Sequence, residues 1–284
     1  MRKSNKRRTP EFILPNGMKI FYLREDEVKF LYGQVQGYCK NGIELHEGDI
    51  VFDVGANIGL FTLWVDQMCN KNVSVYAFEP IPAIFEVLQR NAQRFGSNNL
   101  KVFPYGLSQE SKNVTFAYYP NATGLSTAYP DVSKLERDKF KQAILRNLEN
   151  APTSIRWLRW LRWLPPFLRP IILDLKIEKA FQIEQVTCQL RTVSEIVREN
   201  NIQQIDLLKV DVEKSELDVL LGIEQQDWSK IKQVFVEVDD WGCFGEKIVS
   251  LLKKHGLSQI VLDQELMLKG SNMFNLYAVR PKPR

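Results

Sequence analysis

The sequence predicts an α/β fold built on a mostly parallel sheet of about seven strands. Two patterns favour this fold: apolar, β-branched runs alternate with helical periodicity along most of the chain, and the strand candidates are apolar almost throughout. Such strands are typical of parallel sheets, because helices cover both of their faces. A third pattern, an apolar strand followed by a glycine-containing turn and a helix over residues 49–62, indicates where a ligand binds.

Length and composition agree with one α/β domain. The 284 residues are 44% hydrophobic, which is enough for a sizeable core. The net charge of +4 is mild and gives no argument for nucleic acid as a partner. The four cysteines form no C-x-x-C pair, so we interpret them as reduced thiols of a cytoplasmic protein. We expect no transmembrane span, because arginines interrupt every long apolar run.

The elements follow from these patterns in order. Residues 12–23 are two apolar runs around Pro15-Asn16-Gly17, which predicts a hairpin, and residues 1–48 together are expected to cap the sheet. The last two strands are expected to form a hairpin that makes one strand antiparallel, and residues 113–119 could add an edge strand. Strands are predicted at 50–54, 73–78, 100–104, 205–210, 232–238, 258–263 and 274–280, and helices at 59–69, 82–95, 192–200, 214–221 and 245–255.

Between residues 120 and 190 turn residues, charges and prolines replace the alternation, which we interpret as an insertion within one domain, residues 1–284. Residues 156–164 repeat arginine, tryptophan and leucine every three positions. On a helix the tryptophans and leucines cover a broad arc, and Pro165-Pro166 would end that helix. We expect the insertion to form a lid over the active site; plain packing, or contact of 156–164 with a membrane surface or a partner, are the alternatives.

The turn at 53–59 is typical of a nucleotide-binding site. Gly55 and Gly59 let the backbone pass close to a ligand, and the amides at a helix start favour a polar group. Its G-x-N-x-G spacing differs from the G-x-G-x-x-G of dinucleotide sites. Asp53 would repel a diphosphate but suits a cofactor that carries an ammonium and a sulfonium. With Glu79 placed to accept the ribose hydroxyls, this charge pattern predicts S-adenosylmethionine.

Three signatures in this order resemble those of FkbM-type S-adenosylmethionine-dependent methyltransferases. They are Asp53-Val-Gly-Ala-Asn-Ile-Gly, then Phe78-Glu79-Pro80 with its following helix, and then Asp211-Val-Glu213-Lys-Ser-Glu216. The resemblance covers residues from about 50 to 280 and implies a class I methyltransferase fold, which is Rossmann-like, and O-methylation of hydroxyl groups. Residues 119–126 resemble the subgroup associated with polyketide and nonribosomal peptide pathways. The implied acceptor is a hydroxylated, hydrophobic intermediate of that kind, either a free small molecule or bound to a carrier protein.

The cofactor-binding residues are expected in the turns that follow the first four central strands. They are Asp53, Gly55, Asn57, Gly59, Glu79, Pro80, Gly106, Ser108 and Asp211. The catalytic candidates are Asp211, Glu237 and Asp239, because carboxylates at the ends of strands four and five could remove the acceptor's proton. Asp239 stands where family members often have histidine. Asp211, Asp239 and Asp240 could instead bind a divalent metal, as in catechol-type O-methyltransferases, so the sequence leaves metal dependence open.

Two other functions are compatible with the turn at 53–59. One is an oxidoreductase with a nicotinamide cofactor, and the other is a non-catalytic module that binds an adenosyl group or docks a carrier protein. Methylation of nucleobase amino groups is disfavoured, because strand four is followed by Asp211-Val-Glu-Lys rather than by an Asn/Asp-Pro-Pro-aromatic turn.

Overall fold

The computed structural model describes residues 10–281 apart from 97, 131–137, 139–140, 143 and 152–155. The basic residues at the extreme amino terminus and part of the expected lid lie outside this range. The strands are β1 (Glu11–Ile13), β2 (Lys19–Phe21), β3 (Ile50–Val54), β4 (Ser74–Phe78), β5 (Leu100–Phe103), β6 (Gly106–Leu107), β7 (Lys112–Tyr118), β8 (Glu184–Arg191), β9 (Leu207–Val210), β10 (Gln233–Val238), β11 (Gln259–Asp263) and β12 (Phe274–Val279). The helices are α1 (Glu25–Val35), α2 (Leu60–Met68), α3 (Pro82–Phe95), α4 (Arg156–Leu161), α5 (Leu168–Ala180), α6 (Val193–Glu199), α7 (Glu216–Leu221) and α8 (Glu246–Lys254).

The main sheet has seven strands in the order β11-β12-β10-β9-β3-β4-β5. Strands β10, β9, β3, β4 and β5 pair in parallel, and β12 runs antiparallel to both β10 and β11. This confirms the predicted α/β fold, including the antiparallel hairpin at the end of the chain. The strand order reverses beside β3, so the carboxyl ends of β3 and β9 border a crevice in which α/β proteins bind ligands.

Each central strand buries both of its faces. Val51 and Leu207 point into one apolar layer with α1, α2 and α3, while Phe52 and Leu208 point into the other with α6, α7 and α8. Burial of one such side chain contributes about 1.5–3 kcal/mol to folding. The two-sided burial explains why these strands are apolar at successive positions.

The amino-terminal residues form the predicted hairpin, with β1 antiparallel to β2, and α1 follows it. The buried Asn91 of α3 ties this hairpin to the rest of the molecule. Its side chain accepts a hydrogen bond from the Phe21 amide at 2.7 Å and donates to the carbonyls of Phe21 and Ile58. The hairpin is therefore linked to the turn that precedes α2.

The strand predicted at 113–119 is present, but it does not lie at the edge of the main sheet as expected. Strand β7 belongs to a separate three-stranded sheet of order β6-β8-β7, in which β7 and β8 are antiparallel. Strand β8 lies within the interval 120–190 that we interpreted as an insertion. The inserted segment therefore begins after β7 and ends with β8, and the antiparallel pairing of these two strands holds its two ends together.

The insertion carries α4 and α5. Leu158, Leu161, Leu173 and Ile177 form a small core of their own with Ile144 and Leu148. Helix α4 ends at Leu161, earlier than the predicted 164. None of the described helices is long and apolar enough to cross a membrane.

Candidate active site

A cavity of about 530 Å³ lies at the carboxyl ends of β3, β4, β9 and β10, where α1 and the insertion cover it. The structure brings most of the predicted site residues together around this cavity. Those that line it are Gly55, Asn57, Glu79, Pro80, Gly106, Ser108, Asp211 and Glu237. Asp53, Gly59 and Asp239 are not part of its wall.

The Gly55 turn packs directly against the loop that follows β9. Gly55 has a φ of +78°, and a β-carbon at this position would lie 1.8 Å from the carbonyl oxygen of Asp211. The amides of Gly55 and Ala56 both donate to the carbonyl of Phe78 at the end of β4. Only glycine fits here, and it holds the loops after β3, β4 and β9 against each other.

Glu79 connects two of these loops. One carboxylate oxygen accepts a hydrogen bond from the Asn57 amide at 3.1 Å, and the other accepts from the Ile81 amide at 2.8 Å. Only 5% of its surface is exposed, and this burial raises the pKa of the Glu79 carboxyl to about 7. A group that binds here therefore meets an acceptor whose charge changes near neutral pH.

Lys209 is the residue that sequence reasoning missed. It follows Leu208 in β9, is buried, and stands beside Asp53 of β3 in the sheet register. Its ammonium lies 3.0 Å from the Asp53 carboxylate and 3.3 Å from that of Asp211, and it donates to the Gly55 carbonyl at 2.8 Å. Burial alone would lower the pKa of Lys209, but the two carboxylates hold it above the ordinary value. A lysine inside an apolar strand was the available signal, because a buried ammonium needs partners.

Asp53 lies beneath the cavity instead of facing it. Its carboxylate accepts a hydrogen bond from the Thr62 hydroxyl at 2.6 Å and pairs with Lys209, and the residue is fully buried. This buried position does not match the direct contact with a cationic cofactor that we expected for the Asp53 carboxylate. Gly59 likewise precedes α2 in the core, where it begins the helix.

Asp211 faces the cavity and is held from two sides. Lys209 contacts it from below, and the hydroxyl of Tyr38 donates to the same carboxylate oxygen at 3.3 Å. The Tyr38 ring stacks on Phe235 with 4.4 Å between ring centres. Burial raises the pKa of Tyr38 well above its ordinary value, so the phenol keeps its proton. No pattern in the sequence connects Tyr38 of the amino-terminal region with Asp211.

Further acids surround Asp211, with different roles. Burial and the neighbouring charges of Asp211 and Asp239 raise the pKa of Glu237 well above its ordinary value. Asp239 accepts a hydrogen bond from the Lys214 amide at 3.0 Å. Because Glu213 and Lys214 have φ values of 54° and 76°, Asp239 stabilises a left-handed turn. We therefore assign Asp239 to the support of the loop rather than to the cavity.

For the bound metal that the sequence left as an alternative, the described residues offer no set of ligands. Asp240 accepts a hydrogen bond from the Cys243 amide, and Asp239 is engaged with Lys214. Within residues 10–281, as far as the structure describes them, no group of three or more histidine, cysteine or acidic side chains is arranged to hold a metal ion.

The insertion contacts both α1 and the Gly55 turn through Thr123. Glu27 of α1 accepts hydrogen bonds from the Thr123 amide at 2.6 Å and from its hydroxyl at 2.8 Å. The Asn57 side-chain amide donates to the same hydroxyl at 3.4 Å. Beyond this link the cavity wall is mostly apolar. It includes Phe30, Leu31, Leu125, Ile144, Trp157, Leu158, Leu173, Ile177, Phe181, Leu268 and Met273.

Replacement of Lys209 by methionine should destabilise the protein by about 3–5 kcal/mol, because it leaves the buried Asp53 carboxylate without its cation. Denaturant unfolding measures the loss. The double variant Asp53→Asn/Lys209→Met should recover part of it, since no buried charge then lacks a partner. Equal stability of Lys209→Met and the wild type would show that this ion pair does not hold the loops.

Comparison with known proteins identifies the family. A model of the methyltransferase FkbM domain matches residues 53–258. The chain is 34% identical over 272 residues to 31-O-demethyl-FK506 methyltransferase FkbM of Streptomyces tacrolimicus, covering 94% of this chain and 95% of that protein. It is 27% identical over 258 residues to methyltransferase sdnD of Sordaria araneosa, covering 87% of this chain and 89% of that protein.

Two further comparisons involve longer chains. The AMB antimetabolite synthetase AmbE of Pseudomonas aeruginosa is 31% identical over 281 residues, which are 95% of this chain and 12% of AmbE. The crystal structure of methyltransferase FkbM from Methylobacillus flagellatus shares the fold with a TM-score of 0.51 at 12% identity, covering 89% of this chain and 50% of that one. The family and fold imply S-adenosylmethionine as the cofactor and give no support to a nicotinamide-dependent oxidoreductase. The chain belongs to the FkbM-domain methyltransferases.

Proposed function

We propose that this methyltransferase uses S-adenosylmethionine to methylate a hydroxyl group of a hydrophobic natural-product intermediate of polyketide or peptide type. One observation carries the proposal: the Gly55 turn, Glu79, Asp211 and an apolar chamber all line a single cavity of about 530 Å³. A methyl donor and an apolar acceptor can therefore meet next to a carboxylate. The Streptomyces relative is named for the methylation of 31-O-demethyl-FK506, which supports an acceptor of this kind.

The cofactor half of the cavity fits S-adenosylmethionine. Gly55 lines the cavity where the loops after β3 and β9 pack against each other, and Glu79 can accept hydrogen bonds from a ribose diol. Gly106 of β6 and Ser108, which follows that strand, also line the cavity, and we assign the adenine contact to them. When bound, the cofactor supplies an electrophilic methyl group attached to a sulfonium.

The acceptor half supplies an apolar wall and few polar groups. Trp157, Leu173 and Phe181 of the insertion line it together with Phe30 and Leu31 of α1. These side chains exclude water and bind an apolar acceptor, which leaves its hydroxyl to the polar end of the cavity. Orientation of reacting groups in this way is worth up to about 7–11 kcal/mol in favourable cases. The proposal covers both a free and a carrier-bound acceptor.

Asp211 is the residue we assign as the proton acceptor. The ammonium of Lys209 lies 3.3 Å from its carboxylate, and the Tyr38 hydroxyl donates to the same oxygen, so the orientation of the carboxylate is fixed. Glu237, whose pKa is raised by burial and by the neighbouring carboxylates, lines the same cavity and can hydrogen-bond the acceptor oxygen. Asp211 would take up the proton that the hydroxyl loses when it gains the methyl group, while the bond from that methyl to sulfur breaks and leaves a neutral thioether.

Asp211→Asn should reduce turnover by about 10²–10⁴-fold, because the amide cannot take up a proton. Glu237→Gln should lower turnover less, since glutamine keeps a hydrogen-bond donor. The measurement is mass spectrometry for the gain of one methyl group across a panel of free and carrier-bound hydroxylated acceptors.

The matched control is Glu224→Gln, an exposed acid after α7 that pairs with Arg198 outside the cavity wall, which should retain wild-type turnover. Full activity of Asp211→Asn would overturn the assignment of the base, and methyl transfer to nitrogen or carbon instead of oxygen would overturn the proposed reaction.

Affinity for S-adenosylhomocysteine should rise with pH between 6 and 8, with a midpoint near 7. Burial raises the pKa of Glu79 to about 7, so below that pH the carboxyl is protonated and accepts the ribose hydroxyls poorly. Calorimetric titration should show up to about a tenfold loss of affinity per pH unit below 7. Glu79→Gln should bind weakly at every pH; a wild-type pH dependence in that variant would contradict the ribose contact.

A further inference from the structure

The outer face of the insertion exposes large apolar side chains that the active site does not use. These five residues, which we call the lid ridge, are Trp160, Trp163, Phe167, Ile171 and Leu175, exposed to 56%, 76%, 71%, 56% and 64%. The last three recur every four residues along α5 and therefore share one face of this helix. Leu173 and Ile177 of the same helix are buried against the cavity. The packing of α5 against the cavity therefore does not account for the exposed side chains of the lid ridge.

The lid ridge differs from other exposed apolar residues because its five members lie close together in one segment of the chain. Elsewhere in the described parts of the chain, comparable exposure of a large apolar side chain is found at Ile13 of β1, at 65%, and at Leu266 after β11, at 59%, which lie in separate elements. Single exposed residues of that kind are normal, whereas several on one face mark a binding surface.

Positive charge accompanies the ridge. Residues 156–180 hold six basic and two acidic side chains, so their net charge of +4 equals that of the whole chain and the remaining residues balance to zero. The Arg162 guanidinium lies 5.1 Å from the ring centre of Trp163. Arg159 is exposed on α4. The segment therefore presents exposed indole rings beside guanidinium groups.

A second pocket of about 460 Å³ adjoins Trp163 and carries the same chemistry. Arg146, Arg162 and Arg169 line it, with Leu145, Leu148 and one acid, Glu149. Arg169 donates to the carbonyls of Leu164 and Arg162 at 2.9 and 2.7 Å, which fixes its side chain. Three guanidinium groups against one carboxylate make this pocket suited to an anion such as a phosphate.

We propose that the lid ridge docks this methyltransferase onto an anionic phospholipid surface. Tryptophan, phenylalanine and aliphatic side chains of the ridge would enter the boundary between headgroups and acyl chains, while the arginines contact lipid phosphates. Helices α4 and α5 would lie along the surface, since neither is long enough to span it. The inference is independent of which acceptor is methylated.

Co-sedimentation with vesicles tests the proposal on the full chain. We expect binding to vesicles of phosphatidylglycerol and phosphatidylcholine, weak binding to phosphatidylcholine alone, and loss of binding as the salt concentration rises. The triple variant Trp160→Ser/Trp163→Ser/Phe167→Ser should bind the anionic vesicles roughly tenfold more weakly or worse, because it removes the inserting side chains. The double variant Arg159→Gln/Arg162→Gln should lose the preference for anionic lipid.

Ile13→Ser is the matched control, because Ile13 is 65% exposed but lies on β1, far from the ridge in sequence. It should bind vesicles as the wild type does, and every variant should keep the wild-type thermal unfolding temperature and affinity for S-adenosylhomocysteine. Absence of vesicle binding at low salt, or unchanged binding by the triple variant, would overturn the proposal. So would light scattering that shows a wild-type oligomer dissociated by the triple variant, since the ridge would then be an interface between copies of the chain.

Discussion

The buried ammonium of Lys209 is the constraint on which the site depends. It contacts the carboxylates of Asp53 and Asp211 and the carbonyl of Gly55, so β3, the loop after β3 and the loop after β9 share one cation. An unpaired charge at that depth would cost several kcal/mol, which disfavours any arrangement that separates these groups. Because Asp53 and Lys209 are neighbours in the sheet register, parallel pairing of β3 with β9 itself assembles the ion pair. The shape of the cofactor site thus follows from the pairing of two strands.

The acids around the cavity have different surroundings. Lys209 lies 3.3 Å from the carboxylate of Asp211, while burial and neighbouring negative charges raise the pKa of Glu213 and Glu237. Acids that look alike in the sequence can therefore differ in role. The apolar wall of the insertion favours such differences, because electrostatic interactions are stronger where water is excluded.

The sequence was sufficient for features that depend on local pattern. The strand, turn and helix at 50–62, the position of Glu79 after β4, and the acids after β9 and β10 follow from short motifs in a fixed order. Contacts between distant segments could not be predicted. Tyr38 and Asp211 are 173 positions apart, and no local signal connects them. Asp53 was expected to contact the cofactor because its partner Lys209 was not recognised. Strand β8 was not predicted, because its partner β7 lies on the other side of the whole insertion.

The most direct test is a crystal structure of the chain with S-adenosylhomocysteine. We expect the ribose hydroxyls to lie within hydrogen-bond distance of the Glu79 carboxylate and the sulfur to point toward Asp211. The remaining space should be bounded by Trp157, Leu173 and Phe181. A nucleoside seated away from Glu79, or a sulfur separated from Asp211 by protein, would contradict the claim that one cavity holds the methyl donor and its acceptor.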